Sequence, residues 1–272
     1  MTETIDYATP GPLTTIGSRH EPALADLPPD PVAICRAVHD LVIQPGDAGK
    51  LELPEHRFAS NQLRAAADII TALLAIDAAP LTVPRGPEQR VVGTCRHFAV
   101  LSCALMRHRG IEARTRCGFA TYFQPGQGLD HWITEYRRDG RWVRVDTEIL
   151  GGTLVKQPDD LAVGEFLTGG EAWAAYRRGT IDASRFGVYG TENFGPAEIR
   201  GNAVRDLAAL QKIETLPWDE WGRMGASYRH ETGPDYDELI DTIAATCAAD
   251  DPAALAALYA SGDLPVPADL VR

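Results

Sequence analysis

Gly93-Thr94-Cys95-Arg96-His97-Phe98 opens the run GTCRHFAVLSCALMRHRG, residues 93–110, in which Phe98, Leu101, Leu105 and Met106 recur at steps of three and four. That period predicts a helix with one buried stripe, starting at Cys95 and ended by Gly110 in a left-handed cap. A cysteine in the first turn faces unpaired amides and the positive end of the helix dipole, which favour thiolate over thiol. The fold and the chemistry of the chain are both read outward from this thiol.

Downstream, the stretch from Ile111 to Phe123 is a predicted strand, and HWITEYRR (131–138), Asp139-Gly140 and RWVRVD (141–146) form a predicted hairpin. A two-residue turn pairs Arg138 with Arg141, Tyr136 with Val143, Thr134 with Val145 and Trp132 with Thr147, a face expected to be core. The other face pairs Glu135 with Arg144, expected as an ion pair, and Ile133 with Asp146. His131 then lies opposite Glu148 and diagonal to Asp146, within reach of that carboxylate. A base and an orienting carboxylate on one face, with a thiol at a helix start, predict a cysteine enzyme of the acyl-transfer type, Glu148 competing for the same imidazole.

These residues also carry a family resemblance. G-x-C-R-x-x-A at Gly93 to Ala99, L-M-R-x-x-G-I-x-A-R at Leu105 to Arg114, D-H-W-x-x-E-Y and W-V-R-V-D together resemble the bacterial branch of the transglutaminase-like superfamily, over about residues 60–150. The resemblance implies an α+β, papain-like core in which the nucleophile helix packs on an antiparallel sheet. It implies a catalytic triad of Cys95, His131 and Asp146, acting by acyl transfer or hydrolysis at amide bonds through a thioester acyl-enzyme. Peptides, proteins or small-molecule amides are the implied substrates. No cofactor or metal is expected, and nothing resembles a calcium loop.

The Cys95 amide is a natural oxyanion donor. Gln89, six residues before the thiol, is a candidate second donor, with Arg96 and Trp132 as further candidates for the oxyanion or substrate. Each has a plainer alternative: Arg96 facing solvent, Trp132 filling core. His97 is expected to pack or lie at the surface rather than bind metal with Cys103 and Cys117, and Cys35, Cys103, Cys117 and Cys247 to be core residues. Two other functions fit the same features. One is a thioester-dependent N-acyltransferase in small-molecule biosynthesis. The other is a catalytically inactive binding module keeping the fold.

Composition bounds the rest. A chain of 272 residues that is 44% hydrophobic can fill a large core, and five cysteines with no paired spacing predict a reducing, cytoplasmic setting. No secretion signal or apolar run of roughly 20 residues is visible, so no membrane span is expected. A net charge of −12 argues against nucleic acid or anionic membrane as partner. The expected organisation is a Pro-rich arm over 1–30 lying on the surface or partly disordered, a catalytic core over 31–165 and a helical extension over 166–272 packed on it. Within these, helices are predicted after Asp30-Pro31, from Ser60 or Asn61 to Asp77, over 165–178, over 197–213, over 235–247 and over 252–259. Trp221 and Trp218 are expected as an anchor, the alternative being a wall of the substrate cleft. Oligomeric state is left open.

Overall fold

A computed structural model describes residues 5–271; the first four residues of the predicted arm, and Arg272, lie outside the described residues. The fold is α+β, and the chain divides into two compact units.

One unit comprises Asp6–Thr115 and Ile133–Leu161. In it α1 (Pro31–His39) begins as expected, the Asp30 carboxylate accepting the Ala33 amide at 2.7 Å. There follow β1 (Val42–Ile43), α2 (Pro45–Lys50) and α3 (Ala66–Ile76). The helix predicted from Ser60 or Asn61 instead begins at Ala66. Ser60 sits in a 3-10 turn, Glu55–Gln62, and its hydroxyl donates to the Arg57 and Val92 carbonyls, so it is not available as a cap. A parallel bridge joins β1 to β2 (Val91–Val92), which leads into α4 (Cys95–His108). Gly110 has φ +71°, the left-handed stop the sequence predicts.

Two long strands, β3 (Ala113–Ala120) and β4 (Gly128–Arg138), follow, and β5 (Arg141–Val145) completes the hairpin. The predicted register holds from Arg138–Arg141 to Thr134–Val145. It does not extend to Ile133–Asp146, because the Asp146 amide donates instead to the Pro158 carbonyl at 2.8 Å. Nor is only one face covered. Tyr136 and Thr134 are buried, but so are Ile133 and Glu135, whose carboxylate pairs with both Arg114 (2.7 Å) and Arg144 (3.1 Å). The sequence names only Arg144. Phe98, Leu101, Leu105 and Met106 of α4 form one apolar core with Tyr136, Val143 and Val145, so the helix packs on the hairpin. Ala23, Leu24 and Leu27 join that core, and the Thr14 hydroxyl accepts from Arg107, so this part of the arm is packed rather than laid on the surface.

The other unit comprises Arg116–Trp132 and Ala162–Val271. Here β3 pairs antiparallel with β6 (Phe166–Thr168), followed by α5 (Gly169–Arg177). Phe166 and Leu167, predicted as helix, thus form an edge of sheet. The helix starts at the Thr168 cap, where a Thr-x-x-Glu box with Glu171 satisfies the first turn. β7 (Phe186–Gly187) pairs parallel with β4 at Gly128–Leu129. Four helices complete the unit: α6 (Pro196–Leu210), α7 (Met224–Tyr228), α8 (Pro234–Ala249) and α9 (Pro252–Tyr259), the last capped by Asp251 as expected. Trp221 is the anchor, its indole N–H donating to the Leu264 carbonyl, while Trp218 is 42% exposed. No helix among the described residues is long and apolar enough to cross a membrane.

Candidate functional site

The segment before α4 is fixed at three points. The Gly93 amide donates to Ile43, the Val92 carbonyl accepts from Ser60, and the Thr94 amide donates to His97 Nδ1 at 3.1 Å. His97 therefore reaches back over the first turn, as the N3 residue of a capping box does. Its ring lies against Gly93, where a Cβ would come within 2.6 Å of His97 Cγ. Burial, then the neighbouring Arg96, pushes the His97 imidazole down to about 3, so it stays neutral and keeps an acceptor nitrogen for Thr94. The sequence offers one signal for this role, the three-residue spacing from Thr94. The sequence predicts that His97 packs or lies at the surface; it does not predict the cap.

Cys95 is the first residue of α4 and is 6% exposed, whereas Cys35 and Cys103 are 0%. Cys35 is further distinguished by its environment: burial pushes its thiol up to about 12. Arg96 is fully buried and donates to the Leu63 carbonyl at 3.3 Å, so it does not face solvent. Gln89 ends a short 3-10 turn, Pro87–Gln89. Its amide donates to Asp77 at 3.0 Å, and its carbonyl accepts from Gly86.

Asp146 is 1% exposed. Its Oδ1 accepts the Glu148 amide at 3.0 Å, an Asx turn that orients the carboxylate from its own backbone. Thr147, between them, is tied down on both sides. Its hydroxyl shares a hydrogen bond of 2.9 Å with Ser102, and its carbonyl bonds His39 Nδ1 at 3.0 Å. Ser102 follows Cys95 by seven residues on α4, hence on the same helical face two turns on. Glu148 accepts from the Gln44 side chain at 2.7 Å. Ser102, His39 and Gln44 are therefore supports that sequence reasoning missed. Only Ser102 left a trace, as a polar residue at helical spacing from the thiol.

His131 belongs to the second unit, on β4, and is 2% exposed. Two aromatic edges hold its ring, Phe123 at 5.1 Å and Tyr122 at 6.3 Å between centroids, both near perpendicular. Trp132 is also buried. Thr121, Gly126 and Gln127, from the loop that leads into β4, line an open pocket of about 240 Å³ together with Ile181, Asp182, Arg185 and Phe186. Arg185 is braced there by a 2.6 Å hydrogen bond to the Gly126 carbonyl. Chemically, one unit provides a thiol at a helix start and a carboxylate oriented by its own turn. The other provides an imidazole held between aromatic edges.

Residues 62–147 match the family model of the transglutaminase-like superfamily, so the resemblance read from the sequence holds over that segment. The matched residues include Cys95, His131 and Asp146. A solved structure from Cytophaga hutchinsonii described as a "putative cysteine protease" is similar at 20% identity and a TM-score of 0.37, covering 55% of this chain. The chain spans 43% of the length of that protein. Comparison with curated proteins gives no match.

Proposed function

We propose that this protein is a cysteine-dependent enzyme of amide bonds, acting through Cys95, His131 and Asp146. The observation that carries the reading is the match of residues 62–147 to the transglutaminase-like superfamily, a segment that contains all three residues. The position of Cys95 supports it, since the first turn of a 14-residue helix is where a thiolate is stabilised.

In the proposed cycle His131 takes the Cys95 proton and the thiolate attacks an amide carbonyl, with the Cys95 amide among the oxyanion donors. Collapse of the tetrahedral intermediate expels an amine, protonated by His131, and leaves the acyl group on sulfur. Water or an amine then attacks the thioester, restoring the thiol. Asp146 holds the imidazole in its productive tautomer without taking a proton. One of the two side-chain N–H groups of Gln89 is taken by Asp77, which leaves the other for an oxyanion.

Incubating the protein with a pool of amides, esters and thioesters and then measuring intact mass tests the reading. An acyl adduct on Cys95, absent in Cys95→Ser, is expected, and its mass identifies the substrate class. Alkylation by iodoacetamide provides the second arm. Cys95 reacting at neutral pH no faster than Cys247, which has the same 6% exposure, would refute the enzyme and favour the binding module.

A further inference from the structure

Helix α6 is buried on every side, and one of its faces is polar. Glu198, Asn202, Arg205 and Asp206 are all between 0 and 3% exposed. Ile199, Val204, Leu207 and Leu210 supply the apolar packing expected of such a helix; the polar stripe does not. Burying charge is costly unless every group is paired, so a complete polar network on a core helix calls for an explanation beyond packing.

Asn202 is the hub of that network. Its Nδ2 donates to Asp130 Oδ1 at 2.8 Å and to the Gly118 carbonyl at 3.1 Å. Its Oδ1 accepts from Arg205 Nη1 at 3.1 Å and from the Cys117 thiol at 3.3 Å. All four bonding positions of the amide are thus used, which fixes its orientation. Arg205 continues to Glu198 at 3.3 Å, and Glu198 accepts from the Tyr228 hydroxyl at 2.9 Å. The helix itself is held close to α5, since a Cβ on Gly169 would meet the Asn202 carbonyl carbon at 2.2 Å.

Asp130 immediately precedes His131 on β4, and consecutive residues of a strand point to opposite faces. A bond that pins the Asp130 carboxylate on one face therefore sets the roll of the strand from which the imidazole projects on the other. We propose that Asn202 is a positioning residue for His131, acting through the hydrogen bond to Asp130. This rests on the reading of His131 as the base. The titratable and charged groups that act on Asp130 are His131 on its own strand and Arg205 and Glu198 on α6; Cys117 on β3 and Tyr228 on α7 join the same network through Asn202 and Glu198.

The test measures the pH dependence of Cys95 alkylation, and the His131 pKa by imidazole proton NMR, in the full chain. In Asn202→Ala the neutral-pH alkylation rate is expected to fall about tenfold or more, with a displaced pH profile and a shifted His131 pKa. Asp130→Ala, which removes the other end of the bond, is expected to do the same and serves if the Asn202 variant does not fold. Asp130→Asn keeps an oxygen for Asn202 and is expected to stay within about threefold of the wild type. A folded Asn202→Ala or Asp130→Ala protein with the wild-type profile overturns the proposal. So does Asp130→Asn falling as far as Asp130→Ala, since charge rather than position would then be responsible. Failure of the underlying reading looks different: Cys95 is slow in the wild type and His131→Ala changes nothing.

Discussion

The Asp146 carboxylate accepts the backbone amide of Glu148 at 3.0 Å, so its orientation is set by the turn it belongs to. Asp146→Asn retains an acceptor for that amide and loses only the charge. Cys95 alkylation and turnover are expected to fall by about two orders of magnitude or more, because the neutral amide supports the wrong imidazole tautomer. Thermal unfolding should move little. A large loss of stability with unchanged reactivity would make Asp146 a structural residue.

Gly93 lies under the His97 ring, and a methyl group there would come 2.6 Å from Cγ and 2.8 Å from Cβ of that residue. Gly93→Ala should displace His97 from the Thr94 amide and loosen the first turn of α4. The expected cost is about 1–3 kcal/mol in urea unfolding. Slower Cys95 alkylation should accompany it, and unchanged stability would show that His97 can move freely.

Arg116 and Asp206 form a bidentate pair, at 2.9 and 2.7 Å, and Asp206 also accepts the Cys117 amide. Both side chains are buried, at 6% and 0% exposure. Asp206→Ala breaks the buried ion pair and should cost about 3–5 kcal/mol. The double variant Arg116→Met with Asp206→Leu should recover much of that loss. Equal losses in the single and double variants would show that the Cys117 contact, not the ion pair, matters.

Glu198 gives stability a pH dependence of defined sign. Burial pushes its carboxyl up to about 7, above the range of an unfolded chain, so the folded protein holds a proton that the unfolded one releases. Its contribution is therefore full at acidic pH and declines as pH rises from the ordinary glutamate range through about 7. Urea unfolding of Glu198→Gln should show a flatter pH profile than the wild type over that interval. Identical profiles would assign the proton elsewhere.

Local features of the site were legible in sequence because their causes lie within a few residues. The three- and four-residue steps fix α4 with Cys95 at its start, Gly110 stops it, and Asp139-Gly140 sets the hairpin register. Asp30 and Asp251 cap their helices for the same reason. Boundaries failed where a distant partner intervened: Ser60 left its capping role for Val92, and Asp146 left the ladder for Pro158. Phe166 and Leu167 have helical periodicity, yet pairing with β3 makes them strand.

The sequence by itself determined a thiol in the first turn of a helix, a histidine on one strand of a hairpin and an aspartate directly after the other, since propensity, capping and turn chemistry act at short range. Tertiary structure alone decided what holds them: Gln44 on Glu148, Ser102 on Thr147, and Asn202 on Asp130, separated by 104, 45 and 72 residues. No local pattern encodes such pairs. They form because a polar group taken out of water must find a partner, and only the packed chain determines which one is within reach.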